Sequence, residues 1–162
     1  MGTSHTFRRV ALGAAVLATT VIASATRIGS RAGAASGGAS SPVRGGSPQS
    51  VLDRVADFYG AYIDVLYDSG RSPLADSLRD HYLTTDLRDS LARWEATRHQ
   101  DGVLQAKDIP ITWSVAYNDS GMGHCWSRVT LTWQDGNQAH RTRLMVQSNL
   151  ATRLISGIKA DQ

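Results

Sequence analysis

The feature that most constrains this chain is a change of hydrophobic period at Pro110: apolar residues recur at helical spacing before it and alternate after it. From Val51, the residues Val51, Leu52, Val55, Phe58, Tyr59, Tyr62, Ile63, Leu66 and Tyr67 trace one stripe of an α-helix. Ser50, three residues before Asp53, predicts the N-cap, and Asp68-Ser69-Gly70 predicts the stop. Ser72-Pro73 opens a second, short helix running to about His81, with Ser as cap and Pro at the first helical position. Thr84 or Thr85 caps a third, with Leu87, Leu91 and Trp94 facing inward, and Gln100-Asp101-Gly102 breaks it.

Beyond Pro110, Ile111, Trp113, Val115 and Tyr117 alternate with Thr112, Ser114 and Ala116, which predicts a half-buried strand. Asn118-Asp119-Ser120-Gly121 reads as the following turn. In the next strand Cys125, Ser127, Val129, Leu131 and Trp133 share one face, and His124, Trp126, Arg128, Thr130 and Thr132 share the other. Asp135-Gly136 is a hairpin signal leading into Gln138 to Ser148, and Asn149 turns the chain into a last strand from Ala151 to Ile158. Helices followed by a four-stranded antiparallel meander predict an α+β fold, with a curved sheet packed around the first helix as a cone-like roll.

The N-terminus reads as a targeting segment. Arg8-Arg9 precedes the uncharged run Val10 to Ala25, which closes with Ala23-Ser24-Ala25. This is the pattern of a secretory signal peptide over residues 1–25, too short and too rich in Ala, Thr and Ser to span a bilayer. Residues 26–47, dominated by Gly, Ala and Ser, read as a disordered linker, leaving 48–162 as a single domain. The signal and linker carry five arginines. Without them, 12 basic residues face 14 acidic ones, so the basic character of the whole chain belongs to segments outside the domain. A nucleic-acid partner would need a basic face on the domain itself and is rejected. After cleavage no membrane association is expected.

The residue pattern offers little chemistry. Cys125 and His124 are neighbours on a strand and point to opposite faces, so they cannot form a dyad, and Cys125 is expected to be buried beside Val129 and Leu131. No histidines are spaced as metal ligands, so neither a metal nor a cofactor is expected. Asp57, Asp64 and Asp68 fall off the apolar stripe of the first helix and read as solvated, and no catalytic residue is assigned. Trp113, Tyr117 and Trp133 fall on inward positions. Trp126 falls on the opposite face with Arg128, where Arg141 and Arg143 of the adjoining strand are expected to complete a positive aromatic patch for a partner.

Three segments then carry a resemblance: Phe58-Tyr59-x-x-Tyr62-Ile63, His81-Tyr82-Leu83-Thr84, and Asp101 through Pro110, which reads DGVLQAKDIP. Together they resemble a secreted bacterial family of unknown function in the nuclear-transport-factor-2-like, or cystatin-like, superfamily, over roughly Gln49 to Ile158. The resemblance implies a cone whose sheet and helices enclose a pocket. It implies no reaction, because that superfamily spans isomerases, dehydratases, binding modules and adaptors. The expectation is an exported, non-catalytic binding module for a small apolar ligand or a protein partner. Tyr59, Tyr62, Trp113 and Trp133 are the candidate pocket residues, and Trp126, Arg128, Arg141 and Arg143 the candidate partner surface. The alternatives are an isomerase- or dehydratase-like enzyme using pocket tyrosines with His or Asp, and a structural dimer formed through the sheet without a ligand.

Overall fold

Three capped helices precede a four-stranded sheet in a computed structural model that describes residues 45–161. The expected signal peptide and most of the expected linker lie outside the described residues. Helix α1 (Val51–Ser69) starts where the Ser50 hydroxyl accepts the Asp53 amide, while the Asp53 carboxylate accepts the amide of Ser47 at 2.8 Å. It ends at Gly70, whose φ of 63° and amide bond to the Leu66 carbonyl close the last turn. Ser72 caps α2 (Pro73–Tyr82) and Thr84, not Thr85, caps α3 (Thr85–Arg98). None of the three helices is long and apolar enough to cross a membrane.

Strands β1 (Thr112–Gly121), β2 (His124–Asp135), β3 (Gln138–Asn149) and β4 (Ile155–Ala160) pair antiparallel in that order. The fold is α+β, with a curved sheet that is not closed. Two strand boundaries differ from the expectation, each for a local reason. Asn118 is not a turn residue: the register shifts there as a bulge, Asp119 pairs with Trp126, and the strand runs on to Gly121. Met122 and Gly123 make the turn, at φ 50° and 80°, the positive values that a tight two-residue hairpin needs. The last strand begins at Ile155 rather than Ala151. The Asn149 side chain accepts the amides of Ala151 and Thr152 and holds them in a turn.

α1 lies against the sheet, and its stripe fills the core with Val55, Phe58, Tyr59, Tyr62 and Ile63 against Val129, Leu131 and Val146. Phe58 packs edge-on to Tyr59 and stacks with Tyr62, both at 5.4 Å between ring centres. Each fully buried ring contributes about 1.5–3 kcal/mol of transfer free energy. The stripe stops short of its expected end, since Tyr67 is 79% exposed. Ile111 and Tyr117 are exposed too, so only Trp113 and Val115 of β1 pack on the core.

Candidate functional site

A set of polar side chains inside the helical layer fixes one wall of the candidate site. Each helix contributes a residue to it: Tyr62 on α1, Arg79 on α2 and Glu95 on α3, with Asp101 arriving from the loop after α3. Arg79 is buried, and its Nε donates to the Tyr62 hydroxyl at 2.9 Å. Its two terminal nitrogens reach both Glu95 oxygens, and one of them also reaches Asp101 Oδ2 at 3.1 Å. Tyr62 in turn donates to Asp101 Oδ2 at 2.6 Å. The remaining Asp101 oxygen accepts the amides of Val103 and Leu104, and Glu95 accepts the amide of Gly102 at 2.7 Å.

The electrostatics keep Tyr62 and Arg79 in their hydrogen-bonding forms. Burial and the Asp101 charge hold the Tyr62 hydroxyl above its ordinary range, so it stays a donor. Burial opposes the Arg79 charge, but hydrogen bonding to Glu95 and the charges around it outweigh burial and hold the guanidinium protonated. A network with its donors and acceptors this fully matched rigidifies what it touches. What it touches is the loop of residues 101–110.

That loop and the far end of the β2–β3 hairpin enclose a cleft of about 420 Å³. Leu104, Ala106, Ile109, Leu144 and Ala160 make its apolar surface; Asp108, Gln134, Asp135, His140 and Thr142 supply polar groups. Trp133 forms part of the wall. Its ring stacks on His140, its cross-strand partner, with centres 6.3 Å apart, and its indole N–H donates to the Thr142 hydroxyl at 2.9 Å. No residue of α1 contributes to this cleft. Its size and its mixed lining are those of a small-molecule site.

The four expected pocket residues are not brought together in one cavity. Tyr59 and Tyr62 are wholly buried and line none of the described cavities; their hydroxyls are committed to the Val103 carbonyl and to Asp101. The physical reason is that α1 packs its aromatics into the core against Val129, Leu131 and Val146 of the sheet. Trp133 does line the cleft, whereas Trp113 lines a separate, more open groove with Ile63, Tyr67 and Ile111.

The expected partner surface is only partly assembled. Trp126 and Arg128 share the outer face, opposite the buried Ser127 and Val129, and Trp126 sits 5.9 Å from the His124 ring. Arg141 and Arg143 lie opposite Thr132 and Thr130, not beside Trp126, whose partner is Gln147. The two-residue turn pairs Asp135 with Gln138 and so sets this register for the whole hairpin. Arg128 is held by Asp161 at 2.7 Å and by Asn118. Cys125 is buried as expected, and burial pushes its thiol pKa up. Among the described residues, no group of three or more His, Cys, Asp or Glu is placed to hold a metal ion.

No protein-family profile and no curated protein sequence matches the chain. One solved structure is similar: a protein of unknown function from Bacteroides thetaiotaomicron, 21% identical, covering 67% of this chain and 88% of its own, with a TM-score of 0.51. At that identity the similarity concerns the fold alone.

Arg79, Glu95 and Asp101 are the residues that periodicity did not single out. A signal was present. Arg79 lies four residues after Ala75 and three before Tyr82, and Glu95 lies four after Leu91, so both occupy inward helical positions.

Proposed function

We propose that this chain is an exported, non-catalytic binding module of the nuclear-transport-factor-2-like kind, taking a small, largely apolar ligand in the cleft beside Trp133. A protein partner on the outer sheet face around Trp126 and Arg128 is the second element of the reading. The observation that carries it is the cleft itself: a concavity of about 420 Å³ with a mixed apolar and polar lining, one wall of it fixed by a buried hydrogen-bond network. The three-helix, four-strand order supports the superfamily assignment, and the Ala23-Ser24-Ala25 pattern supports export. An isomerase-like reading would need a tyrosine in the cleft beside His140 or Asp108, and Tyr59 and Tyr62 lie in the core instead.

The test is native mass spectrometry of the exported protein, together with thermal shifts across a panel of lipids and metabolites. The reading expects an N-terminus at Thr26 and a bound mass or a stabilising compound, with either binding signal lost in Ala160→Trp, which fills the cleft from an exposed strand position. A chain that carries no bound mass and is stabilised by nothing in the panel overturns the ligand reading.

A further inference from the structure

The polar side chains that line the cleft beside Trp133 divide by what they already bond. The Trp133 indole N–H is taken up by Thr142. The side-chain amide of Gln134 donates to the Gly136 carbonyl at 2.6 Å, and that of Gln105 to the Ile158 carbonyl at 3.5 Å. Asp108 and Asp135 line the same space without such commitments. Among the described residues, neither carboxylate joins an ion pair or a side-chain hydrogen bond.

The cations nearby are carried elsewhere. Alternation puts Asp135 on the face of β2 that bears Trp133, and the register puts His140, Thr142 and Leu144 on that same face of the sheet. Arg141 and Arg143 then fall on the outer face, so the Arg143 guanidinium leads away from the cleft that its strand borders. Lys107, the neighbour of Asp108, lines the adjoining cavities with Arg71 and Asp101, and not this one. The His140 ring is stacked on Trp133.

These placements select among ligands by charge. An anion would meet two carboxylates and no free guanidinium or ammonium group, so it is repelled. A neutral apolar molecule would draw water from both carboxylates and give them no donor in return. A protonated amine gives them charge-assisted hydrogen bonds, while its hydrocarbon part covers Leu104, Ile109, Leu144 and Ala160.

We propose that the ligand of this cleft is an organic cation: a compact apolar body bearing an ammonium group that Asp108 and Asp135 receive. The proposal rests on the reading of the cleft as a binding site and narrows it to one chemical class.

Three probes that share a phenyl ring and a short chain test it: 2-phenylethylamine, 2-phenylethanol and 3-phenylpropanoate, titrated calorimetrically into the chain at neutral pH. The amine should bind at least about tenfold more tightly than the alcohol, and the carboxylate more weakly than either. The double variant Asp108→Asn, Asp135→Asn changes two exposed side chains, so it should fold as the parent does. It should bring the amine's affinity to within about twofold of the alcohol's and leave the alcohol's affinity unchanged. Ala160→Trp should abolish binding of both. An alcohol that binds as tightly as the amine and is lost in Ala160→Trp overturns the proposal and leaves the cleft reading standing. A preference for the amine that survives both asparagines overturns it as well. So does an amine that binds equally well to Ala160→Trp, and so does a failure of all three probes to bind at millimolar concentration; the wider panel of lipids and metabolites then decides the cleft reading separately.

Discussion

Replacing Arg79 by leucine removes the one cation that three helices and a loop share. Four hydrogen bonds go with it: one to Tyr62, two to Glu95 and one to Asp101. Taking one partner out of a buried ion pair costs about 3–5 kcal/mol, since the charges left behind are still poorly solvated. The Glu95 and Asp101 side chains are 18% and 15% exposed, so water reaches them in part and the low end applies, about 3 kcal/mol. For a domain of this size that corresponds to a fall in Tm of roughly 10–15 °C. Arg71→Ala is the control. Its side chain is 46% exposed and its pairs with Asp76 and Glu95 lie near the surface, so the loss should stay under about 1 kcal/mol.

The same variant carries a signature in pH. Burial alone would raise the Glu95 carboxyl, but hydrogen bonds from Arg79 and the Gly102 amide, with the Arg79 and Arg71 charges, hold it below the usual range. A carboxylate held low in the folded state contributes stability above its unfolded pKa, and that stability is lost as pH falls through the folded value. The parent chain should therefore lose more stability than Arg79→Leu from about pH 5 downward. Urea unfolding of both proteins at neutral and acidic pH measures this. A variant within about 1 kcal/mol of the parent, or one with the same acid dependence, refutes the account of the network.

Three further outcomes follow from the geometry. In Gly102→Ala the new Cβ would meet Glu95 Oε1 at 3.0 Å and Leu91 Cδ2 at 3.1 Å, so a loss of about 1–2 kcal/mol is expected, and an unchanged urea midpoint would contradict it. Cys125 should resist thiol reagents until urea unfolds the chain, because it is buried and its thiol is held protonated; immediate stoichiometric labelling of the native protein would contradict this. Trp126→Ala should keep the native circular dichroism and cost under about 1.5 kcal/mol, since the ring is half-buried on the outer face, and a variant that unfolds would place Trp126 in the core.

Much of the fold was legible because it rests on signals that act within a few residues. The α1 stripe, the Ser72-Pro73 start and the alternation of β2 are each set by local spacing, and the structure realises each of them. The misplaced turns were local as well, but they hung on competition between neighbours. Asn118-Asp119-Ser120-Gly121 has turn-forming residues, yet Met122-Gly123 sits where the pairing of β1 with β2 needs two positive φ values, and the ladder prevails.

The site was less legible because long-range geometry builds it. The packing of α1 on the sheet decides that Tyr59 and Tyr62 are core, and the cleft beside Trp133 lies outside them. The hairpin register decides that Arg141 and Arg143 miss Trp126, and a two-residue turn near Gly136 sets that register ten residues away from Trp126. The network shows the general case. A charged residue at a core position of a helix, such as Arg79 between Ala75 and Tyr82, breaks the binary pattern, and its burial requires partners from elsewhere in the chain. Here α3 and an aspartate at the head of the 101–110 loop provide them. The same aspartate then orients the amides of Val103 and Leu104, so the residue that satisfies the buried cation also sets the wall of the cleft. Loosening Arg79 should therefore unsettle the cleft before it unfolds the sheet, since β2 and β3 make no hydrogen bond to the network.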